Sequence, residues 1–171
     1  MSTFAHGTTV SPEKSRAEIE RLLRRYGADQ FVSGWDTGRA LIGFRASGRH
    51  IRFELLMPDP KAPEFRPRRR THTRSRYNPL TQRRETFTVG ASGDRYDAEI
   101  RRRWRALALV IKAKLEAVAT GITTFESEFL AHIVMPDGRT IGEHVSPQIA
   151  AAYESGRMRP LLPAFTGEPI A

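Results

Sequence analysis

Eight arginines stand in the run "RPRRRTHTRSRYNPLTQRRET" between Arg66 and Arg84, with Glu85 its sole carboxylate. Guanidinium groups stay charged at every physiological pH and grip phosphate oxygens through paired N–H donors. Arg66, Arg68, Arg69, Arg70, Arg74, Arg76, Arg83 and Arg84 are therefore candidate phosphate ligands. Phe65, Tyr77 and Phe87 interleave the run, and His72 adds a further planar ring. Aromatic faces stack on unpaired bases with little regard to sequence, which makes Tyr77 and Phe87 candidate stacking residues. Residues 61–84 carry a local charge of +8; the whole chain carries +9, so the rest is left with only +1. Such asymmetry points to a polyanionic partner. The competing readings of the run are a solvated basic linker, a targeting signal and an arm for an acidic protein surface.

A second basic element is "RRRWRALALVIKAK", where Arg101, Arg105 and Lys112 fall on one flank of a helix, four and seven residues apart. That flank would floor a phosphate groove walled by the arginine run; the plainer reading is a solvated helix face. Metal chemistry has a thinner basis. Glu128 and His132 are four apart, with His144 or Asp137 as further ligands, and Asp137 and Glu143 form an acidic pair. A metal-dependent nuclease would draw on these residues, but no HExxH is present, and "PDG" also reads as a plain turn. The chain has no cysteine, which excludes disulfides and thiolate chemistry. It also lacks a G-x-S-x-G motif and a glycine-rich phosphate loop. No cofactor is expected.

The elements that position these residues follow from periodicity. "SPEKSRAEIERLLRRYG" predicts a helix capped by Ser11, opened by Pro12 and closed by Gly27, with Ile19, Leu22, Leu23 and Tyr26 on one face. "QFVSGW", "RALIGF" and "RHIRFELLM" predict three strands joined by hairpin-length turns, hence an antiparallel meander. Residues from about 59 to 95 show no sustained periodicity and predict a basic insertion that is mobile without a partner. "YDAEIRRRWRALALVIKAKLEAVATG" predicts a long helix whose stripe runs through Ile100, Trp104, Leu107, Ile111, Leu115 and Val118. "TTFESEFLAHIV" predicts a short helix with Thr123 and Glu126 as a capping box. "MPDGRTIGE" then turns as a small hairpin, and "SPQIAAAYESG" predicts a last helix opened by Ser146 and Pro147. Read as helix-turn-helix, this end would offer "SPQIAAAYES" to DNA, and that segment holds no Arg or Lys. The expected fold class is α+β: an N-terminal helix, a three-stranded antiparallel meander, a long covering helix and a small helical region from about 122 to 171, in one domain.

Residues 101–163, "RRRWRALALVIKAKLEAVATGITTFESEFLAHIVMPDGRTIGEHVSPQIAAAYESGRMRPLLP", resemble a group of uncharacterised proteins from actinobacteria and their phages. The likeness extends more weakly across "SPEKSRAEIERLLRRYGADQFVSGW", and no activity comes with it. The order of elements is similar to the core of RecT-type and Red-beta-type single-strand annealing proteins. That second likeness rests on element order and on no signature residue. It implies a protein that oligomerises and holds single-stranded DNA in a basic groove.

Together these readings predict a nucleic-acid-binding protein without catalytic activity, with single-stranded DNA the favoured partner and annealing or recombination the process. A homo-oligomer is expected. The alternative is a structural or assembly protein whose basic arm orders on neighbouring subunits. "MSTFAHGTTVSPEK" has no apolar signal core and "ALALVI" is too short to span a bilayer, so a cytoplasmic, membrane-free protein is expected.

Overall fold

The computed structural model describes residues 5, 7–36, 38–65, 73–79, 82–88 and 93–157. Helix α1 (Pro12–Arg25) starts where Ser11 accepts a hydrogen bond from the Lys14 N–H and proline fills the first turn. It buries Ile19, Leu22 and Leu23, the face expected from their spacing. Three antiparallel strands follow, β1 (Gln30–Asp36), β2 (Arg39–Ala46) and β3 (Arg49–Leu56), paired in the order β1-β2-β3. Ser47 and Gly48 close the second hairpin with φ of 51° and 70°. A two-residue turn with both central residues left-handed matches the twist of the strands it joins.

Alternation assigns the faces of this sheet. Ala40, Ile42, Phe44, Ile51 and Phe53 are buried on one side. Helix α2 (Gly93–Ala119) covers that side with Trp104, Leu107, Ala108, Ile111 and Leu115. Each large side chain so buried contributes about 1.5–3 kcal/mol of transfer free energy. Helix α3 (Phe125–Phe129) closes the core from one end. Phe129 is fully buried, stacks on Phe125 at 4.7 Å and meets Phe44 and Phe53 edge-on at 5.9 and 6.3 Å. The expected α+β order of helix, meander, covering helix and small helical end is the order observed.

Several local expectations are corrected. The cap of α3 is Thr124, which accepts from the Ser127 N–H, and not Thr123 one residue earlier. Helix α4 (Ile141–Ser155) starts five residues before Ser146, because Thr140 and Glu143 form a reciprocal capping box. Pro147 therefore lies inside the helix. A proline there supplies no N–H to the carbonyl four residues back. That carbonyl belongs to Glu143, and the Arg139 guanidinium donates to it instead at 3.0 Å. The turn before α4 is the small hairpin expected: Val134 bridges to Thr140, and Ile133 bridges to Ile51 beside β3. The insertion holds regular structure that its sequence did not announce. A single 3-10 turn spans Pro63–Phe65, and strands β4 (Thr73–Asn78) and β5 (Arg83–Thr88) pair antiparallel as a separate sheet.

Two substitutions test this packing. A Cβ on Gly142 would lie 2.8 Å from the Ala131 carbonyl oxygen, a backbone atom with little freedom to yield. Alanine favours helix over glycine by about 1 kcal/mol, but overpacking of this kind costs about 1–3 kcal/mol. Gly142→Ala should lower stability in urea unfolding, and a gain would show that the 130–132 turn moves freely. Ser15 is fully buried on α1 and its hydroxyl has no partner among the described residues. Ser15→Ala should raise stability by about 0.5–1.5 kcal/mol; a loss would mean that the hydroxyl is bonded.

Candidate nucleic-acid interface

The candidate residues divide between the insertion and α2. Arg66, Arg68, Arg69 and Arg70 lie outside the described residues, as does His72. The hairpin carries the others on paired strands. Its register sets Arg74 across from Phe87, Arg76 from Glu85, Tyr77 from Arg84 and Asn78 from Arg83. Four residues connect the strands, and Gln82 among them takes a left-handed φ of 50°, which lets a short loop close. Tyr77 is 58% exposed, open to a stacking partner.

The insertion is anchored at both ends. It leaves β3 through Pro58 and returns into α2, where the Phe65 and Tyr96 rings meet edge-on at 5.6 Å. A groove of about 660 Å3 opens at this root, lined by Trp35, Met57, Tyr96 and Trp104 and flanked by Arg16 and Arg39. Glu13, Asp36 and Asp59 also line it, so its charge is mixed and does not favour a phosphate chain. Trp35, at 82% exposure, is the residue that sequence reasoning misses here. Its alternation with Phe31 predicts a core position, and only its place at the end of an edge strand leaves it in solvent.

On α2 the expected flank is partly spoken for. Arg105 forms an ion pair with Glu18 of α1 at 2.5 Å, so it holds two helices together and is not a free phosphate ligand. Arg101 and Lys112 form no ion pair with a described residue, and Lys112 is exposed. Arg102 and Arg103 both bind Glu99, at 2.6 and 2.8 Å, and Arg103 also donates to the Leu56 carbonyl. The Arg102 hydrogen bond foremost, with Arg103 beside it, holds the Glu99 carboxyl down at about 2.

Of the residues considered for a metal, Asp137 and His144 meet each other and the rest are engaged elsewhere. Glu128 pairs with Lys114 at 2.9 Å, Glu143 takes a two-pronged bond from Arg52 at 2.8 and 2.9 Å, and Asp137 meets His144 at 2.8 Å. The Thr140 N–H foremost, with Arg52, lowers the Glu143 pKa, and the Arg139 N–H foremost lowers that of Asp137. His132 stacks on Phe53 at 3.9 Å, where burial pushes its imidazole pKa down. Among the described residues no cluster of three or more such side chains could hold a metal ion. Helix α4 presents no Arg or Lys to a duplex. No described helix is long and apolar enough to cross a membrane.

The pairing at Glu99 has a pH signature. Its carboxyl falls from an ordinary 4.5 to about 2 on folding, so its contribution is complete above pH 4.5 and is lost as pH falls toward 2. With the side chain 19% exposed and solvent screening allowed for, that contribution is roughly 1–2 kcal/mol. Glu99→Gln should remove it at neutral pH and flatten the acid limb of a stability–pH profile; an unchanged limb would show that the arginines hold nothing in place. No family model matches the chain, and neither a curated protein nor a solved structure matches it significantly.

Proposed function

We propose that this protein binds nucleic acid without a catalytic step, with single-stranded DNA the preferred ligand and annealing in recombination or replication the process served. One observation carries the reading: residues 61–84 hold a charge of +8 while the rest of the chain holds +1. Outside that segment cations and carboxylates nearly balance in number, and Arg45, Arg52, Arg102, Arg105 and Lys114 are ion-paired, so the uncompensated charge is concentrated in one insertion. Arg68, Arg69, Arg70, Arg74, Arg76, Arg83 and Arg84 neutralise phosphates and release counterions in this reading, while Tyr77 and Phe87 stack on bases. Arg101 and Lys112 extend the track along α2. The likeness in element order to annealing proteins supports the same reading by analogy.

The β4–β5 hairpin favours a second reading, in which the ligand is a duplex. A two-stranded ribbon fits the major groove of B-form DNA, and arginine is the side chain that most often reads a base there.

Fluorescence anisotropy with single-stranded and double-stranded oligonucleotides across a salt series separates the two. Each phosphate contact on a single strand contributes about −0.7 to the log–log salt slope. If most of the seven arginines engage, the slope should be roughly −3 to −5. Tighter binding to the single strand supports the first reading and tighter binding to the duplex the second. No binding to either at low salt would overturn both. Replacing Arg74, Arg76, Arg83 and Arg84 by glutamate should abolish binding, and full retention would remove the hairpin from the interface.

A further inference from the structure

The two edges of the central sheet are treated differently by the fold. Met57 N–H bonds to the Gly38 carbonyl at 2.8 Å, which sets the phase of the β2–β3 ladder. Antiparallel bonding alternates along each strand. With the observed registers, Ala40, Ile42, Phe44 and Ala46 bond to β3, while Arg39, Leu41, Gly43 and Arg45 bond to β1. The outward backbone groups of β3 are then those of His50, Arg52, Glu54 and Leu56. Two of these four residues have bonded carbonyls: Val134 N–H bonds to that of His50 at 2.8 Å and Arg103 to that of Leu56.

At β1 the outward groups are those of Phe31, Ser33 and Trp35, and no described residue bonds to them. Soluble proteins blunt such an edge with lysine, proline, a bulge or a covering segment. The strand reads "QFVSGWD": it has neither proline nor lysine, and its one charge is the terminal Asp36. Val32 is 63% exposed on one face of the strand and Trp35 is 82% exposed on the other.

We propose that β1 is a self-association edge, which pairs antiparallel with β1 of a second copy about a two-fold axis at Ser33. The outward residues are spaced symmetrically about Ser33. That register pairs Phe31 with the partner's Trp35, Ser33 with the partner's Ser33, and Trp35 with the partner's Phe31. Every pair in it is a hydrogen-bonded pair, so each outward N–H and carbonyl of Phe31, Ser33 and Trp35 finds a partner. Directly opposed residues share a face, so each Trp35 ring is covered by the partner's Phe31. On the other face Val32 lies opposite the partner's Gly34. An isologous edge of this kind closes at two copies, because the two-fold axis uses the β1 edge of both. The inference stands apart from any nucleic-acid reading, since it uses no residue of the insertion.

Analytical ultracentrifugation of the full chain, without nucleic acid, tests it first. A dimer is expected at micromolar concentration; a monomer throughout, or an assembly that grows beyond two, would overturn the proposal. Ser33→Pro removes a central outward N–H and should raise the dimer dissociation constant by roughly tenfold or more. Circular dichroism reports whether that variant folds, and Trp35→Lys, at a solvent-exposed position, gives the same test with little risk to the fold. A dimer unchanged by both variants would place the interface elsewhere. Hydrogen exchange supplies the site: the Phe31, Ser33 and Trp35 amides should gain protection as concentration rises, while Val32 and Gly34 stay protected throughout. Concentration-independent protection of all five would mean that a segment of the same chain covers the edge, and would also overturn the proposal.

Discussion

The seating of α2 on the sheet is the constraint from which the other features follow. Trp104, Leu107, Ala108, Ile111 and Leu115 join Ile42, Phe44, Ile51 and Phe53 in one buried cluster, and neither surface could stay in water alone. Helix α1 completes the layer through Ile19, Leu22 and Leu23 and is tied to α2 by Glu18–Arg105 and by the Tyr26 hydroxyl bonded to Glu116. Because β3 leads into the insertion and α2 leads out of it, the same packing fixes both of its roots. The basic segment is thus tied at two points to one rigid body.

Charge is distributed by the same logic. A cation that packs against the fold loses part of its hydration, and a nearby carboxylate restores what is lost. Arg45 meets Asp29, Arg52 meets Glu143, Arg105 meets Glu18 and Lys114 meets Glu128. Several of these pairs also do backbone work. Glu143 caps α4 while it holds Arg52, and Arg52 reaches the Gly138 carbonyl of the preceding turn. Of the carboxylates a nuclease would draw on, Glu143 is thereby committed to Arg52 and a helix end, and Glu128 to Lys114.

The meander and the long helix are legible in the chain because each carries a single unbroken period. Ile51 and Phe53 alternate with Arg52 and Glu54, and the α2 stripe recurs every three or four residues. The hairpin in the insertion escapes this reading for a physical reason. In "TRSRYN" and "RRETFT" nearly every position is polar, so no apolar face marks a period of two. Pro147 misleads in the opposite direction. Proline usually opens a helix, and the side-chain donor from Arg139 that makes an interior position tolerable comes from outside the helix. Arg105 shows the limit for site residues: its spacing with Arg101 and Lys112 is visible in sequence, but Glu18 lies 87 residues away and only the fold brings it close.

The sheet's geometry connects its β1 edge with the insertion. Strands β1 and β3 run parallel to each other, each antiparallel to β2, so Asp36 and Leu56 end at the same side of the sheet. Pro58, at the root of the insertion, lines the groove there with Trp35 and Tyr96. Pairing β1 with its copy about Ser33 reverses the second sheet. The two insertions then leave from opposite ends of the joined sheet, separated along the strands by about the length of β1. Seven residues of strand at about 3.3 Å each span roughly 23 Å. Were both proposals to hold, a polyanion bound at one insertion would reach the other by running along the sheet. Contact with both would require a ligand longer than either insertion occupies alone, and linkage of two sites on one rigid frame raises avidity without any new contact.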